Sequence, residues 1–457
     1  MIAYASESTS VIRAWAQINN QPAPFVPLET FNITLAAYGS VGHFSCTTAI
    51  SALASHGWAS PNNLRHMIES AQPSFSDGSP SYPIKLYAVG AYDGLQHIVF
   101  AGDIDELSWD FDRDELKITG RDYGGRMRDW KAIVTPKWIN MDYAAFASQI
   151  ISQVGLTPQF ASQATSKQLG QNLGQILYGI DNEAGSIDRV NFGYTHSGFS
   201  YETSVFSQAE NMWELLNLVS RAIGFIVTVH FDKTVYVGPP GADPQVNVTP
   251  RVFTWFATEG TPNVTPVRHL NITHGPRQYG TFSVRGFSYH SPTVQLANAA
   301  ITGIPPSYSY KNPQQAVLLA RQPLTAGIYK TENIAANIQA GKPNYFFYFN
   351  GATSPQIERD MLAEAFNIAR HLYIVEGEID GDPTLVPTTQ LTLDVRPPGE
   401  LQGYSGSSMP LDIASVEHHF DMSGGDGGGF LTTFKAWYAP PINAQFAGQV
   451  GPPVQTS

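Results

Sequence analysis

Apolar and polar residues alternate in Pro83–Val89 (PIKLYAV) and in His97–Leu107. Successive side chains on a strand face opposite ways, so this period of two predicts half-buried strands. Between Leu107 and Leu116 the stretch SWDFDRDE crowds acidic residues at a reversal. Leu116 and Ile118 then resume the period on one face, which predicts a long antiparallel hairpin. From about residue 136 the period changes. Phe146, Ile150 and Val154 recur at helical spacing between Asp142, a capping residue, and Gly155, a stop. A second helix is predicted from a capping box of Ser207 and Glu210, through an apolar stripe of Met212, Trp213, Leu216, Val219 and Ile223, to Gly224 as a left-handed residue past its end. FIVTVHF and TVYVG follow as two strands joined across Asp232 and Lys233, completing a small α+β unit.

Further along, HLNITH and GTFSVRGFSYH read as paired strands. The segment 291–355 is weakly patterned, with Lys311, Arg321, Lys330 and Lys342 against Glu332 alone. Phe346, Phe347, Tyr348 and Phe349 argue that it is an arm that packs, because a solvated linker is poor in aromatics. After Ser354 and Pro355, the residues Ile357, Met361, Ala365, Ile368 and Leu372 predict a helix. The last segment is strand-rich, turns through SGGDGGG and ends in a loose tail, GQVGPPVQTS. Residues 85–122 and 390–438 share an order: short strand, polar loop, long strand with an acidic patch, turn, return strand. Either strand pairs are alike by chance or the chain carries a duplicated barrel.

Composition narrows the class. The 457 residues allow several packed units. Only 14% are charged, against roughly 25% in an average soluble protein. With 40 Gly, 32 Pro, 21 Tyr and 25 Phe the balance favours strands and turns over a mainly helical fold. The formal charge of −12 argues against a nucleic-acid-binding surface, whose affinity comes from Lys and Arg displacing counterions. Cys46 is the single cysteine, so an intrachain disulfide is excluded and it reads as a small buried hydrophobe. Asn32, Asn247, Asn263 and Asn271 open N-x-Thr triplets, but no secretion signal or membrane anchor accompanies them, and the reading is of a soluble chain made in the cytoplasm.

No motif of reaction chemistry is complete. Asp110, Asp112 and Asp114 imitate a calcium loop, but Glu115 and Arg121 stand where Gly and Glu are needed. His269 and His274, or His418 and His419, lack a metal-binding spacing, and adjacent histidines on a strand face opposite ways. Neither a P-loop nor a G-x-S-x-G elbow occurs. Asp103 and Asp105 would share a strand face, the most that a two-carboxylate hydrolase reading can claim. No catalytic, cofactor-binding or metal-binding residue is assigned, and no cofactor is expected.

Three stretches taken in order resemble phage baseplate hub proteins of the Mu-like and late-control gene D type, related to the N-terminal part of type VI secretion spike proteins. FAGDIDELSWDFDRDELKITGRDYGGRMRDW carries the first likeness through Phe100, Gly102, Ile104, Asp105, Leu116, Ile118, Gly120, Arg121, Asp122, Met127 and Asp129. NMWELLNLVSRAIGFIVTVHFDKTVYVG carries the second through Trp213, Leu215, Leu216, Gly224 and Tyr236. IASVEHHFDMSGGDGGGFLTTFKAWY carries the third through Val416, His418, Gly428, Phe430, Thr432 and Thr433. The N-terminal 80 residues and the arm match only loosely.

The resemblance implies a β-rich α+β chain with two tail-tube-like antiparallel β-barrel domains and a small α+β domain, assembled as a homotrimeric, pseudo-sixfold ring. The first barrel would span 1–135, the α+β accessory domain 136–240, and the second barrel 241–290 with 356–445. Residues 291–355 would be the arm or insertion and 446–457 the tail. The ring would be a non-enzymatic part of the virion baseplate that joins the sixfold tail tube, or a tube-initiator protein, to the threefold spike and touches other baseplate proteins. DNA would pass through its lumen without specific binding, and there would be no membrane anchor. A β-rich glycan or peptidoglycan hydrolase, and a receptor- or carbohydrate-binding tail module, are the alternatives.

Overall fold

The period-two stretches fold into strands because each buries one row of side chains and exposes the other. The computed structural model describes residues 13–18, 25–37, 39–55, 82–131, 141–161, 211–222, 225–238, 243–246, 251–254, 264–274, 281–288, 291–299, 344–350, 373–394, 409–423 and 429–438. The first part of the chain contributes β1 (Ala14–Ile18), β2 (Val26–Pro27), β3 (Thr30–Ala36), β4 (His43–Ala49), α1 (Ile50–Ser55), β5 (Pro83–Val89), β6 (Gln96–Asp110), β7 (Glu115–Asp122) and the short α2 (Gly125–Asp129). Next come α3 (Tyr143–Gln153), β8 (Thr157–Phe160), α4 (Met212–Ala222), β9 (Ile226–Val229) and β10 (Thr234–Gly238). Then follow β11 (Arg251–Thr254), β12 (Val264–Pro266), β13 (His269–His274), β14 (Thr281–Ser288), β15 (Ser291–Ala299), β16 (Asn344–Asn350), β17 (Tyr373–Asp380), β18 (Gln390–Asp394), β19 (Met409–Asp421) and β20 (Gly429–Tyr438).

Fourteen strands form one sheet. Within it lie two units of the same topology. In the first, neighbours run β3-β4-β7-β6-β5, and in the second β13-β17-β20-β19-β18, with every pair antiparallel. Both follow the chain order first, second, fifth, fourth, third. The registers correspond as well: Phe44 stands opposite Gly120 where Val375 stands opposite Ala436, and Ile84 opposite Gly102 where Leu391 stands opposite Leu411. Each fourth strand bulges at the same place, at Asp105 between Ile104 and Glu106, and at Ala414 between Ile413 and Ser415. The extra residue re-aims the rest of the strand.

The two units are fused edge to edge. One side of β19 is lined by β20; the other carries β18 on Met409–Asp412 and β3 on Ser415–Asp421. Across this seam Phe31 stacks on Phe420 with ring centroids 5.3 Å apart, and His419 Nδ1 lies 2.5 Å from Asn32 Oδ1. A single hydrophobic core therefore runs through both units, from Phe44, Phe100 and Ile118 to Val375, Leu393 and Phe434. Each fully buried aliphatic or aromatic side chain there stabilises the fold by roughly 1.5–3 kcal/mol. Two separate closed barrels are not what forms: among the described residues no ladder closes either unit, and the strands make one open, continuous sheet. Burying the edges of β3 and β19 against each other satisfies backbone groups that closure would otherwise have to satisfy.

The α+β unit has its own core. In its three-stranded sheet β10 is parallel to β8 and antiparallel to β9, and Phe146, Ile150, Trp213, Leu216 and Val219 pack with Val227 and Val235. Ala101, Tyr123 and Met127 of the first large unit join that cluster. Gly155, at φ 74°, ends α3, while Asp142 makes no side-chain capping bond. Asn211 caps α4 by accepting from Glu214 N at 2.9 Å; the Ser207 and Glu210 box lies outside the described residues, as do Gly224 and the helix predicted after Pro355. β14 pairs with β15 and β16 in a further sheet, so part of the 291–355 segment is strand and pairs with 281–288.

Candidate assembly interface

The hairpin β6–β7 gathers most of the residues singled out in the sequence. At its base Gly102 and Gly120 let the two strands approach: a Cβ on Gly102 would overlap the Arg121 carbonyl, and one on Gly120 the Asp103 carbonyl. Phe100 packs on Phe44 at 4.9 Å. Arg121 holds the bulged Asp105 with Nε at 2.7 Å and Nη2 at 2.8 Å, and holds Asp129 of α2 with Nη1 and Nη2 at 2.8 Å. Those two carboxylates raise its pKa further. The planar guanidinium thus ties the bulge to the helix.

Asp122 accepts from Gly42 N at 2.5 Å and Gly124 N at 2.8 Å, stitching the turn after β3 to the start of α2. Desolvation nevertheless pushes its carboxyl up to about 7, against the pull of those amides and of Arg121. Arg126 forms a bidentate pair with Asp103 at 2.6 and 2.9 Å, and stacks over Tyr123 at 4.8 Å. Trp213 anchors α4 on this junction: its indole Nε1–H donates to the Gly39 carbonyl at 3.0 Å.

Val416, His418 and Thr432 lie apart from this cluster, in the second unit, where all are buried. His418 Nδ1 lies 3.0 Å from Thr432 Oγ1, which also accepts from Asp382 N at 2.9 Å. Burial lowers the His418 pKa to about 4. His419, its neighbour, faces the other way onto Asn32. The residues thus fall in two groups, one fixing the bulged hairpin to α2 and α4, the other beneath the seam. Among the described residues no group of three or more His, Cys, Asp or Glu side chains could hold a metal.

Two features were missed in the sequence. The buried Arg126–Asp103 pair joins residues 23 positions apart and carries no local signal. The equivalence of β3 and β13 did carry one, since Asn32-Ile33-Thr34 and Asn271-Ile272-Thr273 are the same tripeptide at the same register on β4 and β17.

Solved structures give the comparison. This chain is similar to phage tail proteins and to type VI secretion spike proteins. It resembles a tail protein from Neisseria meningitidis MC58 at 10% identity and TM-score 0.49, covering 93% of this chain and 96% of that one. A 43 kDa tail protein of prophage MuSo2 from Shewanella oneidensis matches at 11% identity and TM-score 0.48, covering 93% and 97%. An E. coli protein described as a component of the type VI secretion system matches at 11% identity and TM-score 0.42, covering 94% and 80%. No protein-family model and no curated protein matches the sequence. Among the described residues no helix is long and apolar enough to cross a membrane.

Proposed function

We propose that this chain is a structural subunit of the baseplate hub of a tailed phage or related contractile particle, acting as a homotrimeric ring between a sixfold tail tube and a threefold spike. The observation that carries the reading is the internal duplication: two five-stranded units of one topology, fused edge to edge. Three copies of such a chain offer six similar units, which is what a subunit needs in order to meet sixfold symmetry on one side and threefold on the other. The ordered sequence likeness in 100–129, 211–238 and 413–438 points the same way.

The ring would surround the DNA path. A net charge of −12 suits a conduit, because genome phosphates meet like charge and do not adhere. In this reading the carboxylates have no catalytic task, and Arg121, Asp122 and Trp213 hold the α+β unit to the first large unit.

Negative-stain imaging of the purified chain tests the proposal. Threefold rings with a central hole are expected, together with antibody labelling of the baseplate on intact particles. Cell-wall clearing by the purified protein in a zymogram, with labelling absent from particles, would overturn it in favour of a hydrolase.

A further inference from the structure

The seam between β3 and β19 exists once inside the chain, and both of its halves exist a second time with nothing on them. By the registers on β7 and β20, Leu107, Trp109 and Phe111 correspond to Val416, His418 and Phe420. By the registers on β4 and β17, Leu270 and Ile272 correspond to Phe31 and Ile33. β5 leaves β6 after Asp103, with one further backbone bond from Ile104 N to the Tyr82 carbonyl, so the edge of β6 from Asp105 to Asp110 has no strand beside it among the described residues. That is the place where β3 lies on β19. The outer edge of β13 is likewise without a neighbouring strand among the described residues.

Side-chain exposure follows the difference. Phe420 is 2% exposed and Phe31 fully buried, whereas Phe111, in the place of Phe420, is 72% exposed and stacks only on Trp109, at 6.5 Å. Leu107, Trp109, Leu270 and Ile272 are only partly buried, while Val416, His418, Phe31 and Ile33 are at or below 1%. An apolar edge of this kind is a template for another strand.

We infer that copies of this chain join head to tail through a repeat of their own internal seam. The outer edge of β13 of one copy adds antiparallel to the distal half of β6 of the next, with Ser108 opposite Thr273, Trp109 opposite Ile272 and Asp110 opposite Asn271. Phe111 then packs on Leu270 as Phe420 packs on Phe31. The Asn271 amide donates to the Asp110 carboxylate where His419 and Asn32 meet inside the chain. Because the two joined surfaces differ, the contact is heterologous and closes only as a ring. This inference rests on the ring proposed above and adds the surfaces and the register that form it.

The test is a full-length double variant, Ser108→Cys with Thr273→Cys, both on exposed faces. Directly opposed residues of an antiparallel pair lie about 4.5–5.5 Å apart at Cα, within reach of a disulfide, and the native Cys46 is buried. Oxidation should yield covalent multiples of the chain ending at three, and Ser108→Cys with Asn271→Cys, two positions off register, should yield none. Phe111→Asp should weaken association about tenfold to a hundredfold, the worth of one buried phenyl ring, while leaving the thermal unfolding of the isolated chain unchanged. Threefold rings of the double variant that refuse to cross-link would overturn this register and leave the hub reading standing. A chain that stays monomeric at every concentration, without cross-links, and is absent from particles would overturn both.

Discussion

Trp109 and His418 occupy the same place in the two five-stranded units, four residues beyond the bulged Asp105 and Ala414 and opposite the equivalent Leu116 and Thr432. Their surroundings differ because β3 covers His418 and, among the described residues, no strand covers Trp109. Duplicated folds diverge where one copy is covered and the other is not, and several consequences can be measured.

The buried imidazole makes the fold acid-sensitive. With its pKa lowered to about 4 from an ordinary value near 6.5, His418 contributes stability that is fully present above pH 6.5 and is lost as pH falls through 4. The shift corresponds to at most about 3 kcal/mol. Asp122, raised to about 7, acts in the opposite sense, favouring the fold at low pH and losing that contribution as pH rises from about 4 to 7. His418→Asn removes only the first effect. Urea denaturation should show wild type more stable near neutral pH, with the gap to His418→Asn narrowing toward pH 4.

Gly120→Ala drives a methyl group into the Asp103 carbonyl and the Phe44 ring. We expect a loss of about 1–3 kcal/mol in chemical denaturation, the usual cost of overpacking a close contact.

Two arginines three turns of sequence apart on paper behave differently because their solvent exposure differs. Arg126 is 3% exposed and its partner Asp103 17%, so Arg126→Ala leaves a carboxylate without its bidentate partner in a largely buried site and should cost about 3–5 kcal/mol. Arg121, with partners 37% and 63% exposed, should cost under about 1 kcal/mol on replacement by Ala, because solvent screens the pairs. Thermal unfolding of the two variants compares them directly.

Trp213→Phe keeps most of the ring and loses the bond to the Gly39 carbonyl, for about 1 kcal/mol. Trp213→Ala empties the site between α4 and the first large unit and should cost about 3–5 kcal/mol, with the α+β unit losing hydrogen-exchange protection first.

The sequence by itself determined the local elements, because alternation and helical spacing are local. The hairpin around Asp110–Asp114, helix α3 with its stop at Gly155, and the strands joined at Asp232 and Lys233 were all legible in it. So was the opposite orientation of His418 and His419, a consequence of strand geometry alone. The cap of α4 was misplaced because Asn211 and Glu214 carry the same spacing as Ser207 and Glu210, and only the fold selects between them.

Pairings between distant strands were decided by tertiary structure. Whether β19 takes β3 as a neighbour depends on two residues nearly four hundred positions apart, such as His419 and Asn32, and no local pattern encodes that choice. The hydrophobic alternation of β3 and β13 is the same, yet one is covered and the other is not. A strand's own sequence sets which face is apolar, while its partner at the edge is set by the geometry that brings two unsatisfied backbones together.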